Sequence, residues 1–423
     1  MRTKLVLAGI VLVAALGLRV APAAAATLTV DDDRSECPTA DFTSIQAAVG
    51  DRRATAGATV MVCPGHYREA VVVATPGLNL RALGTPGAAP GACFDDSATP
   101  PDPVRAVVVE AAPFAFHLAA HDTGLTGFVI QGGDYGIVTS PDASGYRIRN
   151  NLVQHSGRAG INLRSSGATE TVVSHNCLRA NLRGMETENP GILRHASITH
   201  NRTSGNGQVG IGATGMPGER AAVVIEHNVS RGDGLEVLAF SAAIMLSAST
   251  DSRVAHNESA ASARGVWVGG GNVGLEVVHN RVHDSVANGI LLNARASEPM
   301  VPNVALEVSH NDIRHSAASG LVVSFASAND SVFSRNRLTA NGNDGVFFAG
   351  NRGNLVEHNS AVGNGADGIR SLRGASGNVF ANNHLRDNAE HDAHDDNRAG
   401  NDWVANHCDT DFPSGTICAP ELK

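Results

Sequence analysis

The feature that most constrains this chain is a short unit that recurs along most of its length. An apolar residue is followed by two others, then by Asn, then often by an apolar residue two positions on. It reads IRNNLV (148–153), VSHNCL (173–178), ITHNRT (198–203), IEHNVS (225–230), VAHNES (254–259) and VVHNRV (277–282). It continues as VSHNDI (308–313), FSRNRL (333–338), VEHNSA (356–361), FANNHL (380–385) and WVANHC (403–408). The Asn stands at 151, 176, 201, 228, 257, 280, 311, 336, 359, 383 and 406, at intervals of 23 to 31 residues. Between these units Gly is followed by an aliphatic residue, as in Gly160-Ile161, Gly184-Met185, Gly210-Ile211, Gly265-Val266, Gly289-Ile290, Gly320-Leu321, Gly345-Val346 and Gly368-Ile369. Ala243-Ile244 stands in for one of these pairs, and Gly136-Ile137 reads as an earlier one.

Each repeat holds two or three alternating apolar segments, too short for helices and read as strands. One such unit cannot bury its apolar face alone, whereas stacking turn upon turn does, which predicts a solenoid. The leucine-rich repeat has an overlapping period but demands a Leu scaffold that is absent here. The expected fold is therefore all-β, a parallel β-helix with like residues one above another about 4.8 Å apart, in a rod on the order of 50 Å long.

Composition agrees. Apolar residues make up 42% and charged residues 17% of 423, enough for a large core rather than disorder. Gly is frequent at 46, while aromatics fall to 4%, as expected of a chain with many tight turns and little bulky packing. The formal charge of −9 argues against a nucleic-acid partner, because phosphate binding needs a basic surface.

The start reads as an export signal over 1–26: Arg2 and Lys4 precede the apolar run Leu5 to Leu18, and Ala23 to Ala26 offer a small-residue cleavage site. The run is too short for a membrane span, and no later segment approaches one. A mature chain starting near Thr27 would be secreted to the exterior or the periplasm. It would form one domain over 27–423, with a cap region over 27–60, coils over 61–407 and a terminal loop over 408–423. Oxidising surroundings make pairing the default for Cys37, Cys63, Cys93, Cys177, Cys408 and Cys418. Proximity favours Cys408 with Cys418 and next Cys37 with Cys63, leaving Cys93 and Cys177 undecided.

FTSIQAAVGD (42–51) can form a short helix capped by Thr43 or Ser44, with Ile45, Ala48 and Val49 on one face. The strand-like runs TVMVCPG (59–65), HYREAVVV (66–73) and LNLRALG (78–84) follow, with Gly65, Tyr67 and Glu69 in a Gly-x-Tyr-x-Glu turn. Together with the Asn and Gly repeats, this opening resembles the right-handed parallel β-helix, or pectin-lyase-like, proteins over about residues 40 to 410. The resemblance implies a helix capping the open end of the coil. It does not imply an activity, since one fold hosts many functions. The Gly-x-Tyr-x-Glu turn resembles the first motif of pectin methylesterases, but their later Gln-Asp and Gly-Arg-Pro-Trp motifs are absent. The Asn-Thr-Asp and Gly-x-Asp-Asp motifs of polygalacturonases and the Asp-Pro-His-Asp segment of alginate epimerases are absent too.

Most recurrent residues read as scaffold. Stacked Asn amides are expected to hydrogen-bond along the axis, and the sequons at Asn201 and Asn228 are by-products of that column. The Gly before each aliphatic residue is expected to permit positive φ or a close approach of coils. The residue before the Asn is His at 175, 200, 227, 256, 279, 310 and 358. A solvated column is the preferred reading there. The competing one is shared Cu²⁺ or Zn²⁺, as in the β-helical accessory proteins of copper enzymes that the chain would then resemble. Glu390, His391, Asp392, His394, Asp395 and Asp396 offer hard ligands for Ca²⁺, yet match no known calcium-loop spacing and read as a solvated turn. No cofactor is expected beyond that Ca²⁺ option.

Alternation places an outward column after each Gly-aliphatic pair: Val138, Asn162, Glu186, Gly212, Met245, Trp267, Leu291, Val322, Phe347 and Arg370. Arg164, Glu188 and Asn293 also face out. Arg164, Arg183, Glu186 and Glu188 are the candidate catalytic residues, for general acid–base work on an acidic sugar. Asn162, Trp267 and Asn293 are the candidate substrate contacts. Met245 to Phe347 form an apolar stripe on a face that should be wet, for which the segment 293–305 is a candidate cover. The leading expectation is binding or processing of an extracellular polysaccharide or cell-surface glycan, as a uronate lyase or epimerase if it is an enzyme. The alternatives are a non-catalytic adhesion solenoid and a periplasmic metal-handling protein.

Overall fold

The computed structural model describes residues 25–84, 93–94, 105–188, 192–216, 218–236, 241–294, 301–324, 327–372, 374–397 and 400–418. The expected export signal lies outside these except for its last two residues. Strands of two to six residues follow one another around a coil and pair, in parallel, with the strands one coil before and after. Among the described residues three long sheets of 15, 13 and 14 strands result, each stacking one strand from successive coils, and Asn303–Val304 pairs with Ala328–Asn329 in a small fourth sheet. This is the expected parallel β-helix. No helix among the described residues is long and apolar enough to cross a membrane.

Register is exact from coil to coil. Ile148 pairs with Val173, then Ile198, Ile225, Val254, Val277, Val308, Phe333, Val356, Phe380 and Trp403, all facing inward. The column from Ile137 through Ile161, Met185 and Ile211 to Ile369 fills the third sheet's inner face. A one-residue slip would turn each such set out to solvent, so the hydrophobic pattern fixes the pairing.

The first corner of each coil is closed by Asn. From Asn151 to Asn383, each Asn donates both its backbone N–H and its Nδ2 to Oδ1 of the Asn one coil on, ending at Asn406. Nδ2 also donates to a backbone carbonyl of the preceding coil, as from Asn257 to Ile225 O at 2.9 Å. All eleven are buried, so the sequons at Asn201 and Asn228 offer no accessible amide. A second ladder, not anticipated from sequence, closes the next corner through Asn181, Asn206 and Asp233, and again through Asn341, Asn364 and Asn388.

Left-handed backbone sits at the residue before each Asn, not at the expected Gly. His175, His200, His227, His256, His279, His310 and His358 all have φ between 53° and 57°, and Asn150, Arg335, Asn382 and Ala405 fill the same position. His and Asn are among the residue types enriched there. The repeated Gly instead permits close approach: a Cβ on Gly184 would lie 2.4 Å from Gly210 O, and one on Gly345 2.6 Å from Gly368 O.

The short helix α1 (Ile45–Val49) forms as expected, with Ser44 as N-cap and Ile45, Ala48 and Val49 buried. Glu69 completes the cap. Its carboxylate accepts from Ser44 Oγ and from the backbone N–H groups of Ile45 and Gln46, at 2.7–2.9 Å. Tyr67 donates to Cys63 O. The Gly-x-Tyr-x-Glu turn therefore anchors the helix. Disulfides join Cys37 to Cys63, Cys408 to Cys418 and, settling the open pair, Cys93 to Cys177.

Asn257→Ala would remove the acceptor that satisfies two buried donors of Asn228. Chemical denaturation should show a loss of about 2–4 kcal/mol, whereas the neighbouring exposed His256→Asn should stay within about 0.5 kcal/mol at pH 7.5.

Candidate functional site

The outward column of the third sheet runs in the expected register, from Val72 and His117 through Val138, Asn162 and Glu186, then from Gly212 through Met245, Trp267, Leu291, Val322, Phe347 and Arg370 to His394. The strands Tyr135–Thr139, Ala159–Asn162, Arg183–Glu186 and Val209–Thr214 lie side by side and bring four of the seven candidates together, Asn162, Arg183, Glu186 and Glu188. Trp267 lies three coils beyond Glu186, roughly 14 Å along the axis, and Asn293 lies one coil further on.

Glu186 and Glu188 differ sharply in their surroundings. Glu188 Oε1 meets Arg158 Nη2 at 2.9 Å and accepts from the Tyr135 hydroxyl at 3.3 Å, while Oε2 accepts from Asn162 Nδ2 at 3.0 Å. Glu186 is 7% exposed, and only its Oε2 is engaged, by Arg183 Nη1 at 2.5 Å. Its Oε1 is buried with no hydrogen-bond partner. Burial raises the Glu186 pKa against the pull of Arg183. Asn162, paired with Glu186 across the sheet, likewise buries an unpartnered Oδ1. Two carboxyls two residues apart thus differ in their surroundings: Glu188 is held by three donors, whereas Glu186 is buried with one oxygen on Arg183 and the other without a hydrogen-bond partner.

Arg164 does not join them. Its Nε donates to Thr139 O at 3.2 Å, bracing the adjacent coil. Arg158, not Arg164, stands beside Glu188, with its guanidinium 5.3 Å from the Tyr135 ring centroid. Gln208 holds Arg183 through Nε at 2.8 Å. Arg158, Tyr135 and Gln208 were not singled out by sequence. Their signal was their position just before or at the start of a third-sheet strand, where Tyr135, Ala159, Arg183 and Val209 share a column.

Trp267 faces outward but is 1% exposed, in an apolar cluster with Ala242, Leu291, Met245 and Val322. Within the stripe Trp267 and Leu291 are buried while Met245, Val322 and Phe347 are half-buried, and the Trp267 ring offers no open stacking surface. The Arg264 guanidinium lies 5.4 Å from its centroid. Of the proposed cover 293–305, residues 295–300 fall outside those described. Asn293 is half-buried, its N–H bonded to Val268 O.

His175, His200, His227, His256, His279 and His310 stack in one exposed file, with ring centroids 4.7–5.1 Å apart and nearly parallel planes. Parallel rings hold like nitrogens at about that spacing. One ion with bonds of about 2.1 Å spans at most about 4.2 Å between donors, so the file does not form the bite of a single metal. In the acidic segment, Asp392 instead accepts the N–H groups of Asp409 and Thr410, and Asp395 accepts from Trp403 Nε1. Asp392 and Asp395 are buried there, so the segment is not a solvated turn.

With this geometry in view, comparison with known proteins gives three results. Residues 218–416 match the family model described as periplasmic copper-binding protein (NosD). No curated protein matches in sequence. Solved structures match in shape: the Dettilon tailspike protein at 14% identity and TM-score 0.51, covering 79% of this chain and 62% of that one. The catalytic unit of a GH87 α-1,3-glucanase from Streptomyces thermodiastaticus matches at 14% and 0.51, covering 93% and 70%. The DFA-IIIase of Arthrobacter chlorophenolicus, without its lid, matches at 12% and 0.52, covering 85% and 91%. This chain is a parallel β-helix repeat protein of the pectin-lyase-like fold. It spans less than two thirds of the tailspike's length.

Partial desolvation in the file, reinforced by neighbouring imidazoles, lowers the pKa of His200 and His256. A histidine whose pKa is lower folded than unfolded resists protonation in the native state, so its contribution destabilises as pH falls through its unfolded value near 6.5. The melting temperature of His200→Asn/His256→Asn should therefore gain on the parent as pH falls from 7.5 to 5.5. A difference that stays flat would refute the coupling.

Proposed function

We propose that the outward face built by Tyr135, Arg158, Asn162, Arg183, Glu186 and Glu188 binds and processes an extracellular polysaccharide, with an acidic glycan as substrate. The observation that carries this reading is Glu186: a buried carboxyl on an outward strand face, with one oxygen on Arg183, the other unpartnered, and its pKa raised. Such a group suits proton transfer above the ordinary carboxylate range. The guanidinium groups of Arg158 and Arg183 supply positive charge for a uronate carboxylate. In this role the Glu186 carboxylate takes the C5 proton α to the uronate carboxyl, and the C–H electron pair passes into an enolate that the arginines stabilise. Expulsion of the 4-O substituent from that enolate completes a β-elimination, whereas return of a proton to the opposite face completes an epimerisation.

Three disulfides fit an exported protein. The fold similarity to an enzyme named as an α-1,3-glucanase is in keeping with a glycan substrate.

The test is incubation with a panel of uronic-acid polymers, following ultraviolet absorbance from unsaturated chain ends and, separately, sugar composition. The parent protein should act on at least one polymer, with a rate rising with pH through a value above the ordinary carboxylate range. Glu186→Gln should lower kcat by about 10²–10⁴-fold while leaving the melting temperature near that of the parent. No new chain ends and no altered composition on any polymer would end the reading.

A further inference from the structure

Among the described residues, Asp367, His391 and His394 bring one carboxylate and two imidazoles together, with ligand atoms all within 4.8 Å of one another. The last third-sheet coils build the group. Ile369 pairs with Ala393 and Arg370 with His394, so His391 lies beside Asp367 one coil on, and His394 follows three residues later on the same edge. Phe412 tilts over both rings, at 4.8 Å from His394 and 5.7 Å from His391.

Asp367 is fully buried and His394 is 9% exposed. His391 Nδ1 lies 3.0 Å from Asp367 Oδ1, and His394 Nδ1 lies 3.0 Å from Asp367 Oδ2. Both atoms of the second contact are buried, and neither is in a hydrogen bond. The far side of the same ring is occupied: His394 Nε2 meets Asp396 Oδ1 at 3.0 Å. An imidazole nitrogen and a carboxylate oxygen thus face each other, both buried and outside any hydrogen bond, at the spacing of two ligands on one ion. Two ligand atoms on one ion with bonds of about 2.1 Å lie about 3–3.4 Å apart. A carboxylate that orients the distal nitrogen of a ligating histidine is also the usual outer partner of such sites. Arg370 Nε stands 3.8 Å from Asp367 Oδ2 and tempers the local negative charge.

We infer that Asp367, His391 and His394 form a binding site for a divalent transition-metal ion, with Asp396 as a positioning residue. Two imidazoles and one carboxylate suit Zn²⁺ or Cu²⁺ rather than Ca²⁺, which prefers an all-oxygen shell. The three residues lie within the segment that matches the copper-binding family model. The site is distinct from the Glu186 face and independent of the carbohydrate reading.

The full chain, stripped with a chelator and dialysed, is titrated separately with Zn²⁺ and Cu²⁺. Retained metal is counted after desalting, and melting temperature is recorded with and without metal. The expected result is one retained equivalent and a metal-dependent rise in melting temperature. His391→Gln and His394→Gln should each weaken binding at least tenfold and abolish that rise, and Asp396→Asn should weaken it by about tenfold. His391 is partly exposed, so its variant should fold with the metal-free melting temperature of the parent. His256→Asn/His279→Asn in the stacked file should retain the equivalent. No retained equivalent of either metal would overturn the site, and so would an equivalent that survives both His391→Gln and His394→Gln.

Discussion

One constraint organises the molecule: every coil must turn its corners with buried backbone groups satisfied. Asn meets it because its short amide both accepts and donates. Oδ1 takes the N–H and Nδ2 of the preceding Asn, while Nδ2 reaches the next Asn and a carbonyl one coil back. A buried polar group without such partners is costly, and here each amide is both the solution for one coil and the demand placed on the next. The corner also needs left-handed backbone immediately before the Asn, which selects the residue type there. The histidine file follows from this: a residue type tolerated at φ near 55° and repeated at fixed register stacks its rings.

The same logic separates scaffold from chemistry. A column whose members all serve the corner is explained once the corner is explained. The informative positions are those where a column changes character. On the outer third sheet the series passes from Asn162 and Glu186 through Gly212 to a covered apolar cluster around Trp267, and ends at Arg370 and His394. Unpartnered buried polar atoms occur at both polar ends: Glu186 and Asn162 at one, Asp367 and His394 at the other. Among the Asn of the first ladder no side-chain atom is left in that state.

Much of the architecture was legible because the repeat is a physical period. The Asn intervals gave the coil length, alternation gave the inward Ile161 and Met185 and the outward Asn162 and Glu186, and the Ser44 cap gave α1. The second ladder through Asn181 and Asn206 was not read, because its members alternate with Ser and Asp and the eye follows identity. For the repeated Gly, sequence left positive φ and close approach both open, and the packed coils chose close approach, since a Cβ there would strike the next backbone. Arg158 and Tyr135 were missed because nothing in a linear pattern says which of several arginines reaches a given carboxylate.

Sequence alone determined which residues share a storey, which face inward and which stack, since those follow from a period of two along strands and of one coil between them. It also carried the disulfide between Cys408 and Cys418, whose closeness in the chain leaves little choice. Tertiary structure decided the pairing of Cys93 with Cys177, the burial of Trp267, the different surroundings of Glu186 and Glu188, and the convergence of His391 and His394 on Asp367. Each depends on side-chain reach and exclusion of water across neighbouring coils, and these are properties of the stack as a whole.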